Sequence, residues 1–312
     1  VGAVVPWDFP FLMTVWKVAS ALAAGCSIIV KPAEQTSLTA LRVAELASEA
    51  GIPRGVLQVL PGDGPSVGEP LGRHMDVDMV SFTGSTETGR RFLNYAADSN
   101  LKKVVLECGG KNPAVVLADA ENLDHVAEHV VNAAFWNMGE NCSAASRLIV
   151  HKDVKAPLME RIVARARDWK TGDPLDPHNR LGALIDIDHQ AKVSRYLTGE
   201  PIIGGKADGP YVAPSIYEVT ANDPKARDEI FGPILPIIAT QDMNDALNFI
   251  KQRAKPLTLY LFSNHTSVIK KVREQSISGS LAINDTLIQF AQEGLPFGGV
   301  GASGMGSYHG YQ

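Results

Sequence analysis

Two short segments carry the residue types from which nucleophilic chemistry is made. One is Gly139-Glu-Asn-Cys-Ser143, the other Leu106-Glu-Cys-Gly-Gly-Lys111. A cysteine acts as a nucleophile through its thiolate, which needs a partly exposed, electropositive or helix-end setting. Cys142 follows an amphipathic stretch and lies in a turn of small and polar residues. Glu107 closes an apolar run and is followed by two glycines, which admit the close approach of another segment or a ligand. Most cysteines are simply small buried hydrophobes, and Cys26, between Gly25 and a strand, suits that reading. Cys108 fits either description, with its place beside Gly109 favouring a backbone contribution.

Two other segments have the composition of ligand-binding turns. In Phe82-Thr-Gly-Ser-Thr-Glu-Thr-Gly89 a strand runs into Gly84 and a helix starts at Ser85. A helix start offers unpaired N–H groups and a positive dipole end, which suits a pyrophosphate, but a capped strand-to-helix turn without a ligand has the same spacing. In Val30-Lys-Pro-Ala-Glu34, Lys31 and Glu34 follow a buried strand. A carboxylate there can accept both hydroxyls of a nucleotide ribose and repel a 2′-phosphate, or it can belong to a solvated first helical turn. His125 and His129, four apart on a helix, have the spacing of two metal ligands; without a third ligand in view the expectation is an ordinary helix surface and no metal.

Elements that place such segments can be read from apolar patterning. Val1–Val5, Ser27–Lys31, Val56–Leu60, Met79–Thr83 and Lys103–Glu107 read as strands, alternating with helices over Leu12–Ala24, Thr36–Ala50, Ser66–His74 and Thr86–Ala97. After Gly110 the pattern restarts with a strand at Ala114–Leu117, a helix at Leu123–Asn137, a strand at Arg147–His151 and a helix at Val154–Asp168. Alternation of this kind predicts an α/β protein: a Rossmann-like parallel-sheet domain over residues 1–108 and a second α/β domain over 109–312. Ligands in such sheets bind beyond the carboxyl ends of the strands, where Pro6–Phe9, Lys31–Glu34, Thr83–Ser85 and Glu107–Gly110 fall.

Composition narrows the partners. The 312 residues carry a net charge of -5, which argues against nucleic acid, and no apolar run approaches a membrane span. Three cysteines without a CxxC pair suit a reducing compartment, so a cytoplasmic location is expected. The start VGAVVPWDFPF lacks the features of a signal peptide and opens on a β-like run, as if the chain began inside a domain.

Taken in order, these segments resemble the aldehyde dehydrogenase superfamily: PWDFP at Pro6–Pro10, KPAE at Lys31–Glu34, FTGS at Phe82–Ser85, LECGGKNP at Leu106–Pro113, GENC at Gly139–Cys142, EIFGP at Glu229–Pro233 and PFGG at Pro296–Gly299. The resemblance implies NAD as cofactor, with NADP possible, a small aldehyde as substrate, and oxidation to the carboxylic acid. It implies that residues 1–108 bind the cofactor and 109–312 form the catalytic domain. Cys142 is then the nucleophile and Glu107 the base that activates water. Lys31 and Glu34 match contacts to the adenosine ribose, Gly84 and Ser85 the pyrophosphate turn, Glu229 and Phe231 contacts to the nicotinamide ribose and ring, and Trp7 the substrate channel. The family places an asparagine amide at the oxyanion position, where this chain has Asp8; an ionised carboxylate cannot donate a hydrogen bond. The resemblance also implies that the family's segments before the first strand and after Gly310 are absent here, leaving a truncated core, and that the full-length form is a homo-oligomer. Residues to about Asp188 look like the broad aldehyde-oxidising branch, whereas Lys255–Ser263 and Gly306–Gly310 look like the branch acting on medium-chain and aromatic aldehydes. The alternatives are a catalytically impaired nucleotide-binding or structural relative, suggested by Asp8 and the missing N-terminal segment, and a CoA-acylating dehydrogenase or phosphate-activated reductase of similar fold, against which Glu107 speaks.

Overall fold

The computed structural model describes residues 1–252 and 254–308. These fall into two compact units, Val1–Cys108 with Gly304–Tyr308, and Gly109–Ser303.

In the first unit β1 (Gly2–Val4), β2 (Ile28–Lys31), β3 (Leu57–Val59), β4 (Met79–Gly84) and β5 (Lys103–Cys108) form a parallel sheet in the order β5-β4-β1-β2-β3. Helices α1 (Pro10–Ala23), α2 (Ser37–Glu49), α3 (Glu69–Arg73) and α4 (Thr86–Ala97) connect the strands. Strand residues alternate between two apolar cores. Ala3, Val5, Ile28 and Val30 pack with Met13, Val18 and Ala21 of α1. Val4, Val80, Phe82, Val104 and Leu106 pack with Leu71 of α3 and with Phe92 and Ala96 of α4. Because the strands are parallel, their carboxyl ends share one edge, so the residues following β1, β2, β4 and β5 are brought to that edge together.

The second unit contains β6 (Pro113–Val116), β7 (Arg147–His151), β10 (Ser215–Glu218), β11 (Ile234–Thr240), β12 (Thr258–Phe262) and β13 (Ser280–Ile283), parallel in the order β10-β11-β7-β6-β12-β13, and a small hairpin of β8 (Ala207–Asp208) and β9 (Tyr211–Val212). On one face Leu148, Val150, Leu235, Ile237 and Phe262 pack on α5 (Leu123–Phe135) and α6 (Lys152–Arg167). On the other, Val115, Ile149, Leu259 and Leu261 meet Leu247 and Ile250 of α9 (Met243–Lys251) and Val272 of α10 (Thr266–Gln275). Two shorter helices, α7 (Ile187–Ser194) and α8 (Pro224–Arg227), lie in the connections. A last strand, β14 (Gly304–Met305), pairs antiparallel with β5 of the first unit. Its glycine-rich sequence carries no strand signal.

The expected fold class is therefore present, with strand and helix boundaries matching or displaced by up to three residues. One displacement matters. The helix expected to reach Asn137 stops at Phe135, because Asn137, Met138 and Gly139 take left-handed backbone angles (φ 53°, 58° and 70°). Three such residues in a row turn the chain sharply ahead of Cys142.

Candidate active site

Cys142 stands on a turn built from its own neighbours. Ser143 donates its N–H to Asn141 Oδ1 at 2.9 Å and Ala144 donates to the Asn141 carbonyl at 3.0 Å. The thiol is buried, 8% exposed, with Sγ 3.9 Å from Ser143 Oγ. The turn is held from outside by Asn112, whose Nδ2 donates to the carbonyls of Cys142 (2.7 Å) and Ala144 (3.1 Å), while its Oδ1 accepts from the Thr258 N–H at 3.0 Å. One side chain thus ties the start of β6, the Cys142 turn and the start of β12. Tyr260 donates its hydroxyl to the Ser143 carbonyl at 2.6 Å from the same strand.

The Glu229–Pro233 segment docks on this turn within the same unit. A side chain at Gly139 would put its Cβ 2.4 Å from the Gly232 carbonyl oxygen, so only glycine allows the approach. Glu229 Oε1 accepts from the Gly110 N–H at 3.0 Å, and a Cβ at Gly109 would lie 2.0 Å from that oxygen. The pair of glycines after Cys108 is therefore a fitted seat for the Glu229 carboxyl. Burial pushes that carboxyl up to about 7, opposed by the Gly110 hydrogen bond and the charge of Lys111. Lys111 is itself buried, its Nζ has no hydrogen-bond partner among the described residues, and burial together with the nearby Arg147 guanidinium brings it down to about 7. Phe231 has φ +58°, the left-handed region that an aromatic residue enters only under constraint. A cavity of about 10 Å³, room for about one water molecule, is bordered by Gly110, Asn141, Glu229 and Phe231.

The first unit carries the other expected site residues along one sheet edge. Asp8, half-buried, follows β1. Lys31 ends β2, buried, and its ammonium donates to the Pro32 carbonyl at 2.9 Å and to Glu34 Oε1 at 3.1 Å. The Glu34 side chain is 49% exposed. Gly84 ends β4; a Cβ there would meet the Phe82 ring at 2.7 Å. Ser85 caps α4, its Oγ accepting from the Thr88 N–H at 3.2 Å. Glu107, fully buried on β5, faces Thr83 in the adjacent register of β4 and accepts from Thr83 Oγ1 at 3.3 Å.

Three contributors escape a reading based on motifs. Lys17, inside the apolar helix α1, is 5% exposed and donates to Ser81 Oγ (3.0 Å), Thr83 Oγ1 (2.9 Å) and the Tyr308 hydroxyl. Its link through Thr83 continues to Glu107, and the available signal was a lone charge in an apolar helical stretch. Asn112 and Lys111 sit inside LECGGKNP, but nothing in the local sequence says which of its residues reach the Cys142 turn or the Glu229 seat.

These residues suit a dinucleotide. A capped helix of 12 residues begins directly after β4, presenting its first N–H groups at the carboxyl edge of the sheet, and Glu34 offers a half-exposed carboxylate on the same edge. Ser85 and Gly84 would hold phosphates, and Lys31 and Glu34 a ribose. Among the described residues no group of three His, Cys, Asp or Glu side chains is arranged to hold a metal, and no helix is long and apolar enough to cross a membrane.

Known proteins resemble this chain in sequence and in fold. The chain matches the aldehyde dehydrogenase family over residues 1–312. It is 52% identical to the aminoacetaldehyde dehydrogenase of Pseudomonas aeruginosa over 98% of its own length and 63% of that protein's. Its structure superposes on gamma-glutamyl-gamma-aminobutyraldehyde dehydrogenase from Burkholderia cenocepacia with a TM-score of 0.95 at 41% identity, covering 99% of this chain and 64% of that one. An indole-3-acetaldehyde dehydrogenase solved with NAD⁺ gives 0.94 at 37% identity, with coverage of 99% and 64%. The chain thus spans somewhat less than two thirds of the length of these relatives. With a parallel sheet edge carrying KPAE and FTGS, a braced GENC turn and an EIFGP segment seated on its glycines, this chain belongs to the aldehyde dehydrogenase family.

Proposed function

We propose that the protein oxidises an aldehyde to its carboxylic acid with NAD, or NADP, as hydride acceptor, residues 1–108 binding the cofactor and 109–312 carrying the nucleophile. The observation that supports this most is the brace on Cys142: a thiol on a turn fixed from β6 and β12 is built for placement rather than for packing. The Cys142 thiolate adds to the carbonyl carbon, forming a C–S bond and moving an electron pair onto the oxygen. Lys31, Glu34, Gly84, Ser85, Glu229 and Phe231 would hold the cofactor, which when bound accepts the hydride leaving that carbon. The oxygen's pair then re-forms the C=O bond, giving a thioester on Cys142. Glu107 takes a proton from water as the water oxygen attacks, and the thiolate leaves as the acid is released. The Cys142 N–H would hold the oxyanion, and Asp8 stands at the sequence position of the family's second oxyanion donor.

A small aldehyde is the proposed substrate; the relatives' names point to amino-aldehydes as the first class to try. The three free thiols suit a reducing, cytoplasmic setting. A homo-oligomer is proposed from the resemblance to the family alone.

NADH production from an aldehyde panel, run with and without coenzyme A, tests the reading. Turnover independent of coenzyme A with release of free acid is expected. Dependence on coenzyme A would replace the hydrolytic step with acyl transfer, and dinucleotide binding without turnover would make the chain an impaired relative.

A further inference from the structure

Outside every segment flagged by its chemistry, α7 presses two side chains against the Phe231–Gly232 turn. His189 Nε2 lies 2.7 Å from the Phe231 carbonyl oxygen, and the imidazole packs edge-on against the Phe231 ring with centroids 6.2 Å apart at 76°. Val193, one turn further along α7, fills the space beside Gly232, where a Cβ would come within 2.7 Å of its Cγ1. The same ring nitrogen faces Glu140, two residues before Cys142, with Oε1 at 3.6 Å. Glu140 is itself fixed, accepting from the Ile185 N–H at 3.0 Å, and His189 is fixed at its backbone, donating to the Asp186 cap at 2.7 Å.

We propose that His189 is a positioning residue that holds the Phe231 carbonyl and thereby locks the Phe231 ring for the nicotinamide, joining that turn to the Glu140–Cys142 turn. The reasoning is steric and electrostatic. A left-handed backbone is unfavourable for a bulky residue and persists only where its surroundings over-determine it. A carbonyl can only accept, so Nε2 must carry the proton. The anchored Glu140 carboxylate beside that nitrogen makes the Nε2–H form the favoured one, and burial lowers the tendency of the ring to take a second proton. A neutral donor that is already oriented releases Phe231 from seeking a partner in water or in the cofactor. The inference rests on the assignment of Phe231 to the nicotinamide.

The test compares His189→Leu, which removes the donor at similar bulk, with His189→Gln, whose amide can still donate. NAD⁺ affinity without aldehyde is measured by calorimetry, with thermal stability alongside. The expected result is a loss of affinity of about five- to tenfold in His189→Leu, largely recovered in His189→Gln, with kcat moving less than KM for NAD⁺. In ¹⁵N-histidine spectra of the free chain, the signal lost in both variants should belong to a neutral ring protonated at Nε2. Equal affinity losses in the two variants, or unchanged affinity in His189→Leu, overturn the proposal. Phe231→Ala separates two failures. If it weakens NAD⁺ and His189→Leu does not, the positioning role alone is wrong; if it leaves NAD⁺ binding intact, the nicotinamide assignment falls and the positioning role with it.

Discussion

The Asn112 side-chain amide donates to the Cys142 carbonyl at 2.7 Å, so the backbone that carries this thiol, the proposed nucleophile, is held by a residue 30 positions earlier in the chain. The same amide satisfies Ala144, and its oxygen takes the Thr258 N–H, leaving Asn112 bonded at both ends in a buried setting. Three buried backbone groups therefore depend on one side chain. Asn112→Ala should cost about 1–3 kcal/mol of stability through those groups and lower kcat well beyond what the stability loss explains. Asn112→Asp should be worse for activity, since a carboxylate cannot donate to either carbonyl. Chemical denaturation and steady-state rates at a temperature where both variants stay folded check this. Normal kcat in Asn112→Ala would mean that the turn holds its shape unaided.

Cys142 and Cys26 are both thiols, but they sit in different surroundings. Cys26 lies at the end of α1 and packs partly against the first unit's core, while Cys142 occupies the braced turn. Cys142→Ala should abolish NADH production while leaving NAD⁺ binding and the folded state intact. Cys26→Ala should change stability slightly and leave kcat alone. More than a trace of turnover in Cys142→Ala would remove the thioester mechanism.

How much of this was legible beforehand depends on the range of the interaction. Apolar alternation is local, so β4, β5, β7, α4 and α6 could be placed within a residue or two. The residues after parallel strands could be placed on one edge because topology alone puts them there. Contacts across long sequence gaps could not be read: Lys17 with Thr83, Asn112 with Thr258, Glu229 with Gly110, His189 with Phe231. Each is a polar bond whose partner could be any of dozens of polar residues. The end of α5 departs from the local sequence pattern for a related reason. Trp136, Asn137 and Met138 carry no helix stop as strong as the tertiary demand that Gly139 press on Gly232.

Glu34 places its carboxylate on the open edge beyond β2, half-exposed and paired with Lys31 at 3.1 Å. An acidic group there favours a ribose with free hydroxyls and repels a 2′-phosphate. Glu34→Gln should shift the ratio of kcat/KM for NAD over NADP toward NADP, chiefly through KM for NADP. Lys31, freed from its carboxylate, would then favour the phosphate further. Equal kcat/KM for the two cofactors in the unmodified chain would remove Glu34 as the discriminator.

Glu229 gives a stability profile with a definite sign. Its carboxyl holds a proton more tightly folded than unfolded, about 7 against an ordinary 4.5, because burial disfavours the anion. The folded state therefore keeps an extra proton between those values. The stabilisation is complete below about 4.5 and is lost as pH rises through about 7, amounting to about 3 kcal/mol across the window. Glu229→Gln should flatten this component, so the variant gains on the parent as pH climbs from 4.5 to 7.5 in urea melts. Lys111→Met should move the Glu229 titration higher, since the lysine charge holds it down. A difference between Glu229→Gln and parent that does not change with pH would show that the carboxyl ionises normally in its seat.

Asp8 provides the sharpest test, because it occupies the position assigned to the family's oxyanion donor. It follows β1 in the Pro6–Pro10 segment, half-buried. If that assignment holds, a carboxylate there would withhold a hydrogen bond from the oxyanion and set a negative charge where another develops. Protonating it would relieve both effects, but low pH also protonates the thiol that must attack. The two demands oppose each other, so the unmodified chain should be slow at every pH, with a narrow, low maximum. Asp8→Asn is nearly isosteric and restores a donor. It should raise kcat by about 10²-fold, the scale on which removal of one oxyanion donor lowers rates elsewhere. It should also broaden the profile toward alkaline pH, where the thiolate is abundant and no repelling carboxylate remains. Cofactor affinity should change far less, since the lost charge acts on the reacting oxygen. A variant no faster than its parent at any pH would show that Asp8 points away from the reacting carbonyl, and that the Cys142 N–H works with a different donor.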